Sequence, residues 1–157
     1  MRLTIAAVGR LRDGTPEAML VRDYQTRLDR TGRALSLGPL SVTEVEDRKG
    51  GGTAAEAALL SRAVPSGAAV AAMDERGRVL SSPELAAELV RWRDSGRQDA
   101  VFLIGGADGL DSALRDRADL VLSFGRMVWP HMLARVMLAE QLYRAATILG
   151  GLPYHRA

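Results

Sequence analysis

Along this chain, short solid runs of apolar residues alternate with longer stretches in which apolar residues return at every third or fourth position. The solid runs predict strands buried on both faces, and the longer stretches predict helices that bury one side. Leu3 to Val8 reads as the first strand, Gly9 to Thr15 as the loop after it, and Pro16 as the first position of a helix, where a missing N–H costs nothing. Met19, Leu20, Tyr24 and Leu28 mark the apolar side of that helix, and Gly32 ends it. Leu35 to Val45 predicts a second strand, interrupted near Gly38-Pro39 because proline donates nothing to a sheet ladder. The charged, glycine-rich stretch Asp47 to Gly52 is a loop, either a solvated connection or a segment that closes over a substrate. A helix from about Thr53 to Val64 and a strand from Ala68 to Met73 follow, the strand ending in Asp74-Glu75-Arg76-Gly77.

Ser81 stands three residues before Glu84, the spacing of a capping box, so a helix begins there with Leu85, Leu89 and Trp92 on one face and stops at Ser95-Gly96. Val101 to Ile104 is the next strand. Asp111 or Ser112 caps a short helix to about Ala118, and Leu120 to Ser123 forms the last strand. Pro130 opens the longest helical pattern, with Leu133, Val136, Met137 and Leu142 apolar and Arg135, Glu140 and Arg144 polar, ending at Gly150-Gly151. Strands and helices alternate throughout, which predicts one domain over residues 1–157, a three-layer α/β sandwich on a mostly parallel sheet.

A chain of 157 residues is long enough to bury a core without staples, and the absence of cysteine removes disulfides, thiolate nucleophiles and thiolate metal sites. The opening residues have too short an apolar core for a signal peptide, and no run approaches the ~20 apolar residues of a membrane span. A cytoplasmic protein without membrane contact is expected. Net charge is only +2, but from Phe124 onward four arginines face one acid, Glu140, and both histidines lie there too. That segment is either a solvated face of an arginine-rich protein or a cationic surface for an acidic partner such as RNA.

The most informative stretch is Val101-Phe102-Leu103-Ile104-Gly105-Gly106-Ala107-Asp108-Gly109-Leu110, a buried strand that breaks into three glycines within five residues. In open α/β sheets ligands bind at such carboxyl ends, and glycines admit them to the backbone. Alanine stands where a dinucleotide fingerprint needs its second glycine, no phosphate-loop G-x-x-x-x-G-K-[ST] exists, and two histidines without cysteine give no metal-ligand spacing. Backbone groups and apolar walls suit S-adenosylmethionine, which has an adenine to sandwich and no phosphate to neutralise, as one ligand among several.

Four motifs then carry a resemblance: Val101 to Leu110; Pro130-His131 with Arg135-Val136; Glu140-Gln141-Leu142-Tyr143-Arg144-Ala145; and Pro153-Tyr154-His155-Arg156. In that order they closely resemble the bacterial ribosomal large subunit methyltransferase H family, of the SPOUT class, and the resemblance runs from Leu3 to the carboxyl tail. It implies methylation of N3 of a pseudouridine in helix 69 of 23S rRNA on assembled ribosomes, with S-adenosylmethionine as donor, by a homodimer without a metal. It also implies a C-terminal trefoil knot, which general rules of topology would not predict. A SPOUT enzyme for another rRNA or tRNA position, or a non-catalytic RNA-binding domain, would share much of this pattern.

The resemblance implies that the methyl donor lies between three loops, at Met73, at Gly105 with Gly106, and at Phe124, Gly125, Arg126, Met127, Val128 and Trp129. Met73 stands where leucine is common, and Phe124-Gly125-Arg126 replaces a more usual serine-containing pattern. His131, Arg144, Tyr154 and His155 are the catalytic candidates. The helix dipole at the mouth of the last helix favours a neutral His131. Arg144 either pairs with Glu140 four residues before it or faces RNA, while Arg135 is structural or lies at a dimer seam. Tyr154 and His155 form either an ordinary mobile terminus or a tail that stacks on and polarises a base.

Overall fold

A computed structural model describes residues 1–156. The elements are β1 (Arg2–Val8), α1 (Pro16–Gly32), a 3₁₀ turn (Arg33–Leu35), β2 (Leu40–Val45), α2 (Gly52–Arg62), β3 (Ala69–Val79), α3 (Ser82–Asp94), β4 (Asp99–Ile104), α4 (Ser112–Asp116), β5 (Leu120–Ser123) and α5 (His131–Leu149). All five strands run parallel, in the order β2-β1-β4-β3-β5. The sheet is therefore wholly parallel where mostly parallel was expected.

Side chains alternate across a strand, and here each face has its own core. Leu3, Ile5 and Ala7 of β1, Ala71 of β3 and Phe102 of β4 pack with Leu28 of α1, Leu89 and Trp92 of α3, and Leu138 and Leu142 of α5. Ala6, Val8, Ala72, Val101 and Leu103 face the other way, against Leu60 of α2 and Leu114 of α4. β4, the central strand, is buried at every position, which is why its sequence is a solid run. α1 starts at Pro16 as expected, and α3 starts at the expected capping box. Thr15 Oγ1 accepts from Ala18 N at 3.3 Å, and Ser81 and Glu84 form a reciprocal capping box at the head of α3.

Five expectations are corrected. The second strand begins only at Leu40, because the chain from Gly32 first closes a tight turn: a methyl at Gly32 would lie 2.2 Å from the Leu37 carbonyl oxygen. Gly38-Pro39 is a cis peptide. β3 does not end at Met73; residues 74–77 bulge out, and Arg78 rejoins the ladder opposite Leu122, with Gly77 tight against the backbone of Val121 and Leu122. On α1 the buried side is Ala18, Val21, Leu28 and Gly32, leaving Met19 63% and Leu20 44% exposed. On α5 the buried stripe is Arg135, Leu138, Ala139, Leu142, Ala145 and Ala146, while Leu133 is exposed. The short α4 also ends at Asp116, just before Ala118.

Candidate active site

The β3 bulge and the loops at the carboxyl ends of β4 and β5 meet around a cleft of about 320 Å³. Met73 to Arg76 comes from the β3 bulge, Gly105 to Gly109 from the end of β4, Ser123 to Gly125 and Met127 to Trp129 from the end of β5, and His131 and Ala134 from the start of α5. The glycine loop is tightly folded. Gly109 N donates to Gly106 O at 3.1 Å, and a methyl at Gly105 would lie 2.4 Å from the carbonyl carbon and oxygen of Gly109. A methyl at Gly106 would meet Val8 at 3.2 Å and the Glu56 carboxylate at 3.3 Å. Burial, with Asp108 and Asp47 nearby, raises the pKa of that carboxyl above the usual range.

Polar ties hold the loops in register. Asp74, nearly buried, accepts from Arg76 Nε at 2.9 Å and from Arg115 Nη1 of α4 at 2.7 Å, so the β3 bulge is fastened to the element after the glycine loop. Ser123 Oγ accepts from Gly125 N at 3.1 Å and reaches Glu75 O at the same distance, joining the β5 loop to the bulge. Apolar walls from Met73, Ile104, Leu122, Phe124, Met127 and Trp129, with carboxylates at Asp74, Glu75 and Asp108, suit a ligand that is partly flat and apolar and partly cationic. Among the described residues no group of three or more His, Asp or Glu could hold a metal ion.

Met73, Gly105, Gly106, Phe124, Gly125, Met127, Val128 and Trp129 thus line one cleft together with His131, whereas Arg126 is exposed and does not line it. Met127 and Val128 are 70% and 82% exposed and stand at the rim. His131 is held below its usual pKa, first by burial and then by the charge of Arg135; the expected helix-end effect is not among the causes.

Arg144, Tyr154 and His155 lie elsewhere. Arg144 is bound to Glu140 Oε1 through Nη2 at 2.6 Å and Nε at 2.9 Å, the expected ion pair, and its guanidinium stacks 4.7 Å from the Tyr154 ring. Tyr154 donates to the same Glu140 oxygen at 3.0 Å and packs on Tyr143 at 4.7 Å between centroids. Burial and this bond push its hydroxyl well above the usual phenol range. His155 Nδ1 is buried without a partner among the described residues. The tail is therefore docked on α5, outside the cleft. A second groove, about 470 Å³, runs from Leu20 and Tyr24 past Val79 and Ser82 to Val136, Met137 and Glu140, and it shares Leu122, Ser123 and Phe124 with the cleft.

Sequence reasoning missed Asp74, Glu75, Arg76, Asp108 and Ser123 as lining residues. Each stands at a predicted strand end or in the glycine loop, which was the available signal.

A family profile described as "Predicted SPOUT methyltransferase" matches residues 1–155. The chain is 68% identical over 156 residues to the ribosomal RNA large subunit methyltransferase H of Dinoroseobacter shibae, covering 99% of each. It is 65% identical over 156 residues to the protein of the same name from Paracoccus denitrificans, again covering 99% of each. Among solved structures, the SpoU methyltransferase AviRb from Streptomyces viridochromogenes in complex with AdoMet is similar over 91% of this chain at 16% identity, with a TM-score of 0.44. This chain spans 57% of that one.

Proposed function

The chain belongs to the ribosomal RNA large subunit methyltransferase H family of SPOUT methyltransferases, and from that premise we propose that it methylates N3 of a pseudouridine in helix 69 of 23S rRNA on assembled ribosomes. It is an S-adenosylmethionine-dependent methyltransferase of large-subunit rRNA. The proposal concerns the nucleotide, the atom, the subunit arrangement and the residues. The observation that carries it is identity of 68% over 156 residues, 99% of each chain, a span that includes the cleft loops.

The cleft fits the methyl donor. Met73, Gly105, Gly106, Phe124 and Trp129 would hold its adenine and backbone-facing groups, and Asp74, Glu75 or Asp108 its cationic end. When bound, S-adenosylmethionine supplies an electrophilic methyl group on a positively charged sulfur. The chain's own residues must then exclude water, orient the base and take a proton, because N3 of the acceptor is a protonated imide nitrogen. His131 lines the cleft, and its lowered pKa favours the neutral imidazole, so it is the side chain we assign as that proton acceptor. Tyr154, with its hydroxyl pushed up, is suited to donate and to stack, and not to accept the proton.

The enzyme works in the cytoplasm as a homodimer whose tail residues Tyr154 and His155, with Arg144, reach RNA beside the partner's cleft. Two features support this. Within one chain the tail does not line the cleft, and Leu20 and Val79 are exposed in an apolar groove that shares Phe124 with the cleft and Glu140 with the tail's contacts. The trefoil knot belongs to the same proposal, supported by Phe124, Gly125, Met127, Val128 and Trp129 lining one cleft with the glycine loop before α5 packs on α1 and α3. Mass-spectrometric comparison of 23S rRNA from wild-type and deletion strains tests the target: loss of one methyl group from the helix 69 pseudouridine is expected, and loss from any other nucleotide overturns the assignment.

A further inference from the structure

We propose that Arg135 is a positioning residue that, by gripping the carbonyl end of β1, holds the first turn of α5 and its His131 against the cleft. The largest fully buried side chain in the molecule is this arginine, at 0% exposure. Its Nη2 donates to Val8 O at 2.8 Å and Gly9 O at 2.9 Å, and its Nη1 donates to Glu44 Oε1 of β2 at 3.0 Å. The same Glu44 oxygen accepts from Leu11 N at 2.8 Å, so one carboxylate ties the loop after β1 to the guanidinium. Nε is buried with no partner among the described residues.

A buried guanidinium that leaves one N–H unpaired is a poor way to stabilise a core, and apolar replacements of such groups are often neutral or better. Its location suggests another use. Arg135 is one helical turn after His131, on the same side of α5. A methyl at Gly9 would lie 3.6 Å from His131 Nε2 and 3.8 Å from Arg135 Nη2, so both side chains close on the same point of β1. His131 itself is only partly buried and sits on the first turn of a helix that has no side-chain cap. Without the grip on β1, that turn has little to keep the imidazole at one position in the cleft. The charged groups around the imidazole are Arg135 on its own helix, Glu44 from β2 behind it, and Asp74, Glu75, Arg76 and Asp108 across the cleft.

The role rests on His131 as the proton acceptor, and a double-mutant cycle separates the two claims. Single-turnover methyl transfer to ribosomes is measured for Arg135→Met, Arg135→Lys, His131→Ala and the Arg135→Met/His131→Ala pair, with S-adenosylmethionine affinity by calorimetry. Arg135→Met is expected to slow transfer by about tenfold or more while changing affinity by less than about threefold. Arg135→Lys, which keeps a charge and a donor, recovers part of the rate, and the double variant is no slower than His131→Ala. Losses that multiply in the double variant, or a normal rate for Arg135→Met, overturn the positioning role and leave His131 as the acceptor. A normal rate for His131→Ala overturns both. If Arg135→Met does not fold, the His131 imidazole resonance in Arg135→Lys decides: a shift from wild type supports the role, and an unchanged resonance overturns it.

Discussion

Replacing Gly105 by alanine tests the geometry of the cleft at its tightest point. The added methyl would lie 2.4 Å from the Gly109 carbonyl carbon and oxygen and 2.8 Å from Leu110 N, all backbone atoms that cannot rotate away. Ordinary contact begins at 3.4 Å, so the glycine loop must retreat by about 1 Å, at about 1–3 kcal/mol of overpacking. If the bound state carries that cost, it corresponds to about 5–150-fold in donor affinity. Gly109→Ala is the control. Its methyl meets nothing within 4 Å, but a φ of +77° costs any L-residue about 1–2 kcal/mol. Titration calorimetry with S-adenosylmethionine should therefore show Gly105→Ala weakened by about 5–150-fold and Gly109→Ala by less than about 10-fold, both proteins melting cooperatively. Wild-type affinity in Gly105→Ala would mean that the glycine loop does not shape the donor site, and the reasoning from close approach would be wrong.

The His131 pKa is depressed in the folded protein, so its contribution to stability is complete above the ordinary imidazole value of 6.5 and is lost as pH falls through the folded value. NMR titration should place its midpoint below 6.5, and the acid limb of the single-turnover rate should follow it; a midpoint above 6.5 contradicts both. Truncation after Pro153 removes the Tyr154 bond to Glu140 and the contact with Tyr143, lowering Tm by about 3–8 °C by calorimetry, with donor affinity unchanged and transfer to ribosomes greatly slowed. A truncated protein that methylates at the normal rate removes the tail from the mechanism. Phe102→Ala empties a fully buried position beside Trp92 and should cost about 3–5 kcal/mol in denaturant unfolding; a cost under about 1 kcal/mol would mean the central strand is not packed as described.

The layer order was legible because the apolar runs Leu3 to Val8 and Val101 to Ile104 report burial directly, and short apolar strands separated by amphipathic stretches leave few other arrangements. Asp74-Glu75-Arg76-Gly77 looked like a turn because its composition is that of one; pairing is restored to β3 only by the β5 backbone, contributed more than forty residues later. Met19 and Leu20 were counted as core because periodicity finds an apolar side without saying whether a neighbour covers all of it. Arg135 stands among the polar positions of α5 in the sequence pattern, and a structural role or a dimer seam was as far as its reading went, for a related reason. Helical spacing ranks arginine with the solvated positions, and the carbonyls that accept from it belong to residues 126 and 127 positions away. The cleft followed from strand ends and glycines, but its polar ties between loops depend on contacts across the sheet that no local pattern carries.

Purified protein incubated with labelled S-adenosylmethionine and ribosomes from the deletion strain, followed by nuclease digestion and mass spectrometry, tests the central claim most directly. One methyl group at N3 of the helix 69 pseudouridine is the predicted result. Label on any other nucleotide, or faster methylation of naked 23S rRNA than of assembled ribosomes, would contradict the account.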